Sequence, residues 1–352
     1  MKNISKLLVG ILFSALVISP SFAGEMTVTG GATATYVTNG TTSSSGKSIG
    51  IANELDFTAS GELDNGYTWK YQVQLDGASA ANDDTRLEIG LSDMGTIGLY
   101  VTEGGMSAEL AHGVGALGVG FDYASPTTFE KGYDVDSYSN IQYHTPSDLL
   151  PFGIAAKFGY VPNMTATTQL SHKESAAVST TGHGEGRDLT MLQLSASPID
   201  GLSIKGDVAQ TNAVGGDANG DDGISAHVGA KYTIGQLSVG YTEGGYQPAT
   251  GNSADDETIY YENKFYGFQF DVNDSLSVSY NVDESSKNTR AKVADTASAG
   301  TKTIQDMEQE TVQLAYTVGG ATIGISDIEV DNADYSAGEQ ETMTVVSLAI
   351  SF

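Results

Sequence analysis

The chain has 352 residues, no cysteine and a formal net charge of −28 at pH 7. The lack of cysteine excludes a disulfide framework and a thiolate site. The excess of acidic residues argues against nucleic-acid binding, which needs basic patches on the protein surface.

The N-terminus predicts export. A basic start precedes a short apolar run at 7–18, and Ser21 and Ala23 place small residues at the −3 and −1 positions of a cleavage site. This arrangement is typical of a secretory signal peptide. The run is shorter than the roughly 20 residues that a membrane-spanning helix needs, and a buried N-terminal helix is the disfavoured alternative. We therefore expect 1–23 to be removed as a signal peptide, which leaves 24–352 as the mature chain.

Apolar and polar residues alternate with a period of two along most of the mature chain. In 67–75 the odd positions are aromatic or aliphatic and the even ones are polar, and similar patterns recur in 224–232, 276–282 and 312–318. Stretches of about ten such residues predict transmembrane β-strands, whose side chains face lipid and a polar lumen in turn. A Lys or Arg facing the middle of the lipid layer would cost about 2–4 kcal/mol, so charges are expected on the lumen side. The charges assigned to the lumen on this basis include Glu54, Asp56, Lys70, Arg86, Lys157, Lys205, Asp207, Glu262 and Lys264.

Two groups of residues depart from this simple alternation. Asp327 shares the parity of Ile323 and Ile325, and a β-bulge or the end of a strand would explain its position. Most aromatic residues share the lipid-facing parity, but three tyrosines are candidates for the lumen. They are Tyr100, Tyr260 and Tyr266.

The connections between the predicted strands alternate in length. Short turns with Asn-Gly, Asp-Gly or Gly-Gly sequences, at 63–66, 198–201 and 319–320 for example, are typical of tight hairpins. Longer polar insertions fall near 39–48, 77–84, 104–137, 162–187, 212–223, 246–256, 285–307 and 331–340. Short turns at one rim and long loops at the other are typical of outer-membrane barrels. The pattern predicts one all-β domain, a transmembrane antiparallel β-barrel of about 16 strands, with about 14 or about 18 as alternatives.

Three segments, in this order and spacing, are similar to parts of a known family. The segment 61–67 resembles the hairpin after the second strand, 86–99 resembles the hairpin before the constriction loop, and 138–146 resembles the strand after that loop. The mature chain as a whole resembles the Gram-negative general diffusion porins, in particular the alphaproteobacterial type. The terminal Phe352 matches the signal through which that family engages the barrel assembly machinery.

The resemblance implies a fold, a location and a function. It implies a sixteen-stranded homotrimeric barrel in the outer membrane, surrounded by lipid and lipopolysaccharide, with a third long loop folded into the barrel. It also implies passive diffusion of small hydrophilic solutes through a water-filled channel, without a cofactor.

The third long loop, at about 104–137, is the candidate pore constriction. It carries five acidic residues, and Lys131 is its only Lys or Arg. The facing wall is basic in the family, and Lys70 and Arg86 are the candidate cations here. Opposed charges would create a transverse field that favours polar solutes over apolar ones. The loop acids are Glu109, Asp122, Glu130, Asp134 and Asp136.

The chain departs from the family in its arginine content. It has only three arginines, Arg86, Arg187 and Arg290, and the last two are predicted in or beside loops. The basic half of the field is therefore expected to be weak. This predicts mild cation selectivity.

The segment 217–223 resembles the first half of a calcium-binding loop. Asp217, Asn219 and Asp221 would supply oxygen ligands at alternate positions, which suits Ca²⁺. The twelfth position is Val228 instead of Glu, so the motif is incomplete. An acidic extracellular loop that could bridge lipopolysaccharide through divalent ions is the favoured interpretation, and Ca²⁺ is the only candidate cofactor.

Two other functions stay open at this point. An outer-membrane adhesin or structural barrel would have a plugged lumen and loops that bind a partner. An enzyme is disfavoured, because the five histidines are scattered and lack a local nucleophile signature.

Overall fold

The structure of the protein is a computed structural model. The described residues are 24–39, 46–76, 81–146, 149–164, 187–213, 220–250, 257–291 and 302–352. They form sixteen β-strands. The strands are β1 (Glu25–Asn39), β2 (Lys47–Glu62), β3 (Thr68–Asp76), β4 (Ala81–Gly90), β5 (Thr96–Val101), β6 (Asn140–His144), β7 (Ala155–Val161), β8 (Leu189–Ile199), β9 (Leu202–Thr211), β10 (Gly223–Ile234), β11 (Leu237–Gln247), β12 (Glu257–Asn273), β13 (Leu276–Ala291), β14 (Lys302–Val318), β15 (Ala321–Asp331) and β16 (Gln340–Ser351).

The sheet is a closed antiparallel barrel, in which each strand pairs with its neighbours in the sequence and β1 pairs with β16. The backbone N–H of Gly30 donates to the carbonyl of Phe352 at 2.9 Å, and the N–H of Phe352 donates to the carbonyl of Gly30 at 3.0 Å. Closure gives every strand a paired neighbour on both sides, so the sheet has no free edge strand. The prediction of a sixteen-stranded barrel is confirmed.

The two faces of the wall differ in polarity. On β14, Val312, Leu314 and Tyr316 point outward and are 37–55% exposed, whereas Thr311 and Gln313 point inward and are at most 1% exposed. An outer surface of exposed apolar and aromatic side chains is what a barrel in lipid requires. The predicted alternation is confirmed on this strand.

The faces of β12 are opposite to the sequence-based assignment. Glu262 and Lys264 are exposed on the outer face, in register with Ser286 and Glu284 of β13. Tyr266, a candidate for the lumen, shares this outer face, and the inward positions hold the buried Tyr261 and Phe265. The prediction failed because it treated the lumen as uniformly polar and wet. In this part of the barrel the inner wall is covered, so aromatic residues are favoured there.

Asp327 lies in regular structure. Residues Ala321–Asp331 pair with β14 and β16 without a register shift, so both a bulge and a strand end are wrong explanations for Asp327. It is exposed on the outer face and accepts a hydrogen bond from the Thr344 hydroxyl at 2.7 Å. Glu329 follows on the same face and lies opposite Glu310. The apolar band on this side of the barrel therefore ends below Asp327.

Short connections join the strands at one end of the barrel and long ones at the other. The described residues include one short α-helix, α1 (Gly120–Tyr123), and four 3-10 helices at Ser92–Met94, Val135–Ser137, Pro151–Gly153 and Ala333–Tyr335. No helix in the described part of the chain is long and apolar enough to cross a membrane. The expected signal peptide, 1–23, lies outside the described residues.

Adjacent residues on β2 provide a test of the two faces. Phe57 points outward between Val28 and Val73, whereas Thr58 points inward between Thr27 and Gln72. We expect Phe57→Arg to impair barrel assembly, because an Arg in lipid costs about 2–4 kcal/mol. Thr58→Arg should assemble normally.

The measurement is the shift in gel mobility between unheated and boiled protein, which reports a folded barrel. Equal folded fractions for the two variants would contradict the assignment of the faces.

Candidate pore constriction

The connection between β5 and β6 folds into the barrel and follows its inner wall. Its backbone N–H groups donate to wall side chains of successive strands. His112 donates to Thr242 of β11 at 2.8 Å, Gly115 to Gln269 of β12 at 3.3 Å, Ala116 to Ser279 of β13 at 2.8 Å and Leu117 to Gln313 of β14 at 2.9 Å.

The return part of the loop is fastened as well. The Tyr123 hydroxyl donates to Ser347 of β16 at 2.9 Å, and the Asn263 amide of β12 donates to the Glu130 carbonyl at 2.9 Å. Met106 and Ala108 at the start of the loop also contact Gln193 on β8 and Asp207 on β9, so the loop covers the inner wall from β8 to β16. This region, about 104–137, is the segment that the sequence predicted to fold inward.

An aromatic cluster fixes the middle of the loop. Phe121 on α1 lies with its ring centre 4.3 Å from that of Phe265 on the wall, and Phe129 lies 5.9 Å from Phe265. All three rings are at most 7% exposed. His112 packs against the rings of Phe121 and Phe265, and burial lowers the pKa of its imidazole to about 4, so this ring is neutral at neutral pH.

Asp134 ties the two arms of the loop together. Its carboxylate accepts hydrogen bonds from the backbone N–H groups of Met106, Ser107 and Val135 at 2.6–3.0 Å. Burial, and then the neighbouring Asp136 carboxylate, raise the pKa of Asp134 to about 7 against the opposing effect of these donors. Burial, and then Glu109, also raise the pKa of Asp136.

One cavity brings together all five acidic loop residues. It has a volume of about 580 Å³ and also contains Lys131 and Lys205 in its lining. The Lys131 ammonium lies 3.1 Å from the Glu109 carboxylate, so these two charges largely compensate each other. The acidic residues in the lining are Glu109, Asp122, Glu130, Asp134 and Asp136.

The two candidate wall cations do not line this cavity. Lys70 lies directly opposite Glu88 on β4, and both line a separate cavity of about 430 Å³. Arg86 donates to the Gln72 side chain and lies 3.6 Å from the Glu103 carboxylate, at the start of the loop. Each of these cations therefore has an acid beside it.

The calcium-loop hypothesis concerns a segment that is mostly outside the described residues. Asp217 and Asn219 are not described, whereas Asp221 is, and its backbone pairs with Thr250. Among the described residues no group of three potential ligands could hold a metal ion.

Sequence reasoning missed the wall residues that receive the loop. They are mostly uncharged: besides Thr242, Gln269, Ser279 and Gln313, the Gln193 amide donates to the Met106 carbonyl at 2.6 Å. The available signal was a Gln, Ser, Thr or Asn on the lumen parity, a pattern shared with water-facing positions.

Asp283 was also missed, because an acidic residue on the lumen parity is equally expected at a water-facing position. It is fully buried beneath α1, and neither of its carboxylate oxygens has a hydrogen-bond partner, although the backbone of Phe121 approaches it.

Comparison with known proteins shows which fold this is. No protein-family model matches the sequence, and no curated protein sequence matches it either. Solved structures do match over nearly the whole chain. The trimer form of OmpT from Vibrio cholerae has a TM-score of 0.63 at 11% identity, covering 93% of this chain and 99% of OmpT.

Two further structures give similar values. The anion-selective porin from Comamonas acidovorans has a TM-score of 0.62 at 16% identity, covering 94% of this chain and 100% of that porin. OmpF from Salmonella typhi, in complex with daunomycin, has a TM-score of 0.60 at 14% identity, covering 94% and 98%. The chain therefore has the fold of the outer-membrane barrel porins.

Two buried acids with opposite surroundings provide a test of the loop contacts. We expect Asp283→Asn to leave the stability unchanged or increased, because it replaces an unpartnered carboxyl by a neutral group of the same shape. Asp134→Asn should destabilise by about 1–3 kcal/mol, because an amide has only one oxygen for the three donors.

Stability is measured as the urea concentration at which the folded, fast-migrating band disappears. Asp283→Asn destabilising as much as Asp134→Asn would indicate that Asp283 is charged and holds a cation or water.

Proposed function

We propose that this protein is an outer-membrane porin, a water-filled channel for the passive diffusion of small hydrophilic solutes and ions, with a mild preference for cations. The observation that carries this proposal is the one-sided position of the inward-folded loop. The loop covers the inner wall from β8 to β16, whereas the inward residues of β1 and β2 stay accessible.

The exposure of inward-facing side chains makes this asymmetry clear. Asn281 and Asp283 on β13 and Thr311 on β14 are fully buried, whereas Thr29 on β1 and Glu54 on β2 are exposed. A sixteen-stranded barrel is wide enough to leave an aqueous channel. The inward residues of β5 and β6, such as Tyr100 and Gln142, are buried, so the path for solutes runs between the loop and the strands β1 to β4.

The balance of charge along this path supports a preference for cations. Lys70, Arg86 and Lys131 each lie beside an acid, as described above. Asp122 and Glu130 in the loop are exposed. The cavity lining holds five acids against two cations, Lys131 and the exposed Lys205, so acidic residues outnumber basic ones there and raise the local concentration of cations. The Comamonas acidovorans porin is anion-selective, so the same fold supports either sign and the side chains decide.

The remaining parts of the proposal rest on the sequence motifs and the fold. We place the protein in the outer membrane as a homotrimer of the alphaproteobacterial type, in contact with lipid and lipopolysaccharide. Phe352, which is 67% exposed at the barrel seam, would be presented to the assembly machinery. Diffusion requires no covalent step and no cofactor.

Single-channel recording in a planar bilayer tests this function. Large conductance steps in groups of three, with a reversal potential under a salt gradient that favours cations, are expected. Folded protein that carries no current would contradict the porin function and favour a plugged adhesin or structural barrel.

Neutralising the exposed loop acids tests the origin of the selectivity. The double variant Asp122→Asn/Glu130→Gln should lower the ratio of cation to anion permeability by about twofold, because it removes unpaired negative charge from the path. The matched control is Glu310→Gln/Glu329→Gln, which removes the same charge from the outer face. An equal shift of the reversal potential in both double variants would rule out the loop as the selective element.

The cation preference should also depend on pH. Because the pKa of Asp134 is raised to about 7, this carboxyl is mostly neutral below that pH and ionised above it. We expect the reversal potential to become more cation-selective between about pH 6 and about pH 8. Asp134→Asn should remove this part of the pH dependence, and its persistence in the variant would assign it to another group.

A further inference from the structure

A buried histidine–aspartate pair lies between the barrel wall and the loop. Asp207 of β9 and His227 of β10 are directly opposite each other in the strand register and both point inward. Their side chains are 0% and 1% exposed. The His227 Nδ1 atom lies 2.9 Å from Oδ1 of Asp207 and 3.3 Å from Oδ2.

The second ring nitrogen of His227 faces the loop. Its Nε2 atom lies 2.7 Å from the backbone carbonyl oxygen of Lys131. A carboxylate and a carbonyl can only accept hydrogen bonds, so both ring nitrogens must donate. With Asp207 ionised, this geometry calls for an imidazolium, and His227 forms a charged pair with Asp207.

The pair contacts both arms of the loop. Asp207 accepts a hydrogen bond from the backbone N–H of Ala108 at 2.7 Å, on the first arm. His227 donates to Lys131 on the return arm. Thus two wall residues on adjacent strands bind the loop backbone at two points, at Ala108 on the first arm and at Lys131 on the return arm.

The pocket fits the imidazole ring closely. A Cβ atom added to Gly244 of β11 would lie 2.2 Å from the ring carbon Cδ2, and one added to Gly132 would lie 2.6 Å from the Cβ of Ser225 and 3.4 Å from the ring carbon Cε1. Gly132 also has a φ of +128°, a conformation that favours glycine. Two glycines therefore make room for the ring and for the loop that crosses it.

The charges around the ring come from three elements. The wall contributes Asp207 and Lys205 from β9 and Lys231 from β10, which donates to the Gly113 carbonyl at 2.8 Å. The loop contributes Glu109 and Lys131, which pair with each other, while β11 presents glycine at this point. Asp207 is the only one of these charges that hydrogen-bonds to the ring.

We propose that His227 and Asp207 are positioning residues that hold both arms of the constriction loop against the wall and thereby set the width of the pore. This inference rests on the proposed channel function. The hold depends on the imidazolium: when the ring loses its proton, only one nitrogen can donate. Asp207 then keeps a buried charge without its counter-charge, and either Asp207 or the Lys131 carbonyl loses its hydrogen-bond donor. The loop arms are released as a result.

The test is the conductance of the wild-type channel and of His227→Gln between about pH 5 and about pH 10. Wild-type conductance should rise by about twofold on the alkaline side, as the loop leaves the wall. Gln reaches only one of the two acceptors and does not titrate, so His227→Gln should conduct like the alkaline wild type at every pH. His144→Gln is the matched control, because in the described part of the chain His144 also points inward but hydrogen-bonds to Gln142 and stacks against Tyr100 instead of bonding to the loop, and it should keep the wild-type profile.

A reporter thiol gives a second measurement at one pH. The chain has no cysteine, so Ser107→Cys introduces a single thiol beside the ring. Its labelling by a membrane-impermeant reagent should be faster with Asp207→Asn than without it.

The outcomes separate this inference from the channel function. Folded wild type without current overturns the channel function. If the wild-type conductance does not change with pH and equals that of His227→Gln, the positioning role is overturned and the channel function stands. If His227→Gln fails to fold, the wild-type pH profile decides, since a flat profile contradicts the inference without any variant.

Discussion

The structure depends on one constraint, that a wall surrounded by lipid must satisfy all its backbone N–H and C=O groups internally. The sheet meets this constraint by closing on itself, with β1 against β16 and the terminal Phe352 paired to Gly30. Closure separates two environments across a single layer of chain. Each strand must therefore present apolar side chains outward and is free to present polar ones inward, which is the alternation that the sequence displays.

The polar inner face determines how a loop can be held inside the barrel. An irregular segment brings unpaired backbone groups with it, and it is stable within the barrel only if the wall supplies partners. Here Thr242, Gln269, Ser279 and Gln313 accept hydrogen bonds from consecutive parts of the loop backbone. The Phe121–Phe129–Phe265 cluster adds apolar burial where the loop turns. The same inner surface that would hydrate a pore elsewhere thus serves as a binding site for the loop.

Most of the fold could be predicted from the sequence because a period of two reports directly which face a residue occupies. The strand number followed from turn chemistry, and all five acidic loop residues line one cavity. The prediction failed where the surroundings of a side chain depend on its height along the barrel axis as well as on whether it faces inward or outward. Glu262, Lys264 and Asp327 lie outward above the apolar band, and Phe265 lies inward beneath the loop, because the surroundings on each face change with height. The pairing of His227 with Asp207 depends on strand register and loop path, which no local pattern specifies.

The charges that hold the loop and the charges that line the channel have different requirements. An anchor needs strong hydrogen bonds in a buried place, which favours ionised groups, but an unpaired ionised anchor would alter the field in the channel. The wall and the loop resolve this by pairing charges locally. His227 is matched by Asp207, and Lys131 is matched by Glu109. These pairs carry no net charge, so they fasten the loop while leaving the field to the exposed acids. In the proposed channel the sign of the selectivity therefore depends on exposed residues outside these pairs, among them Asp122 and Glu130 of the loop and Lys205 of β9, and it can change without changing how the loop is held.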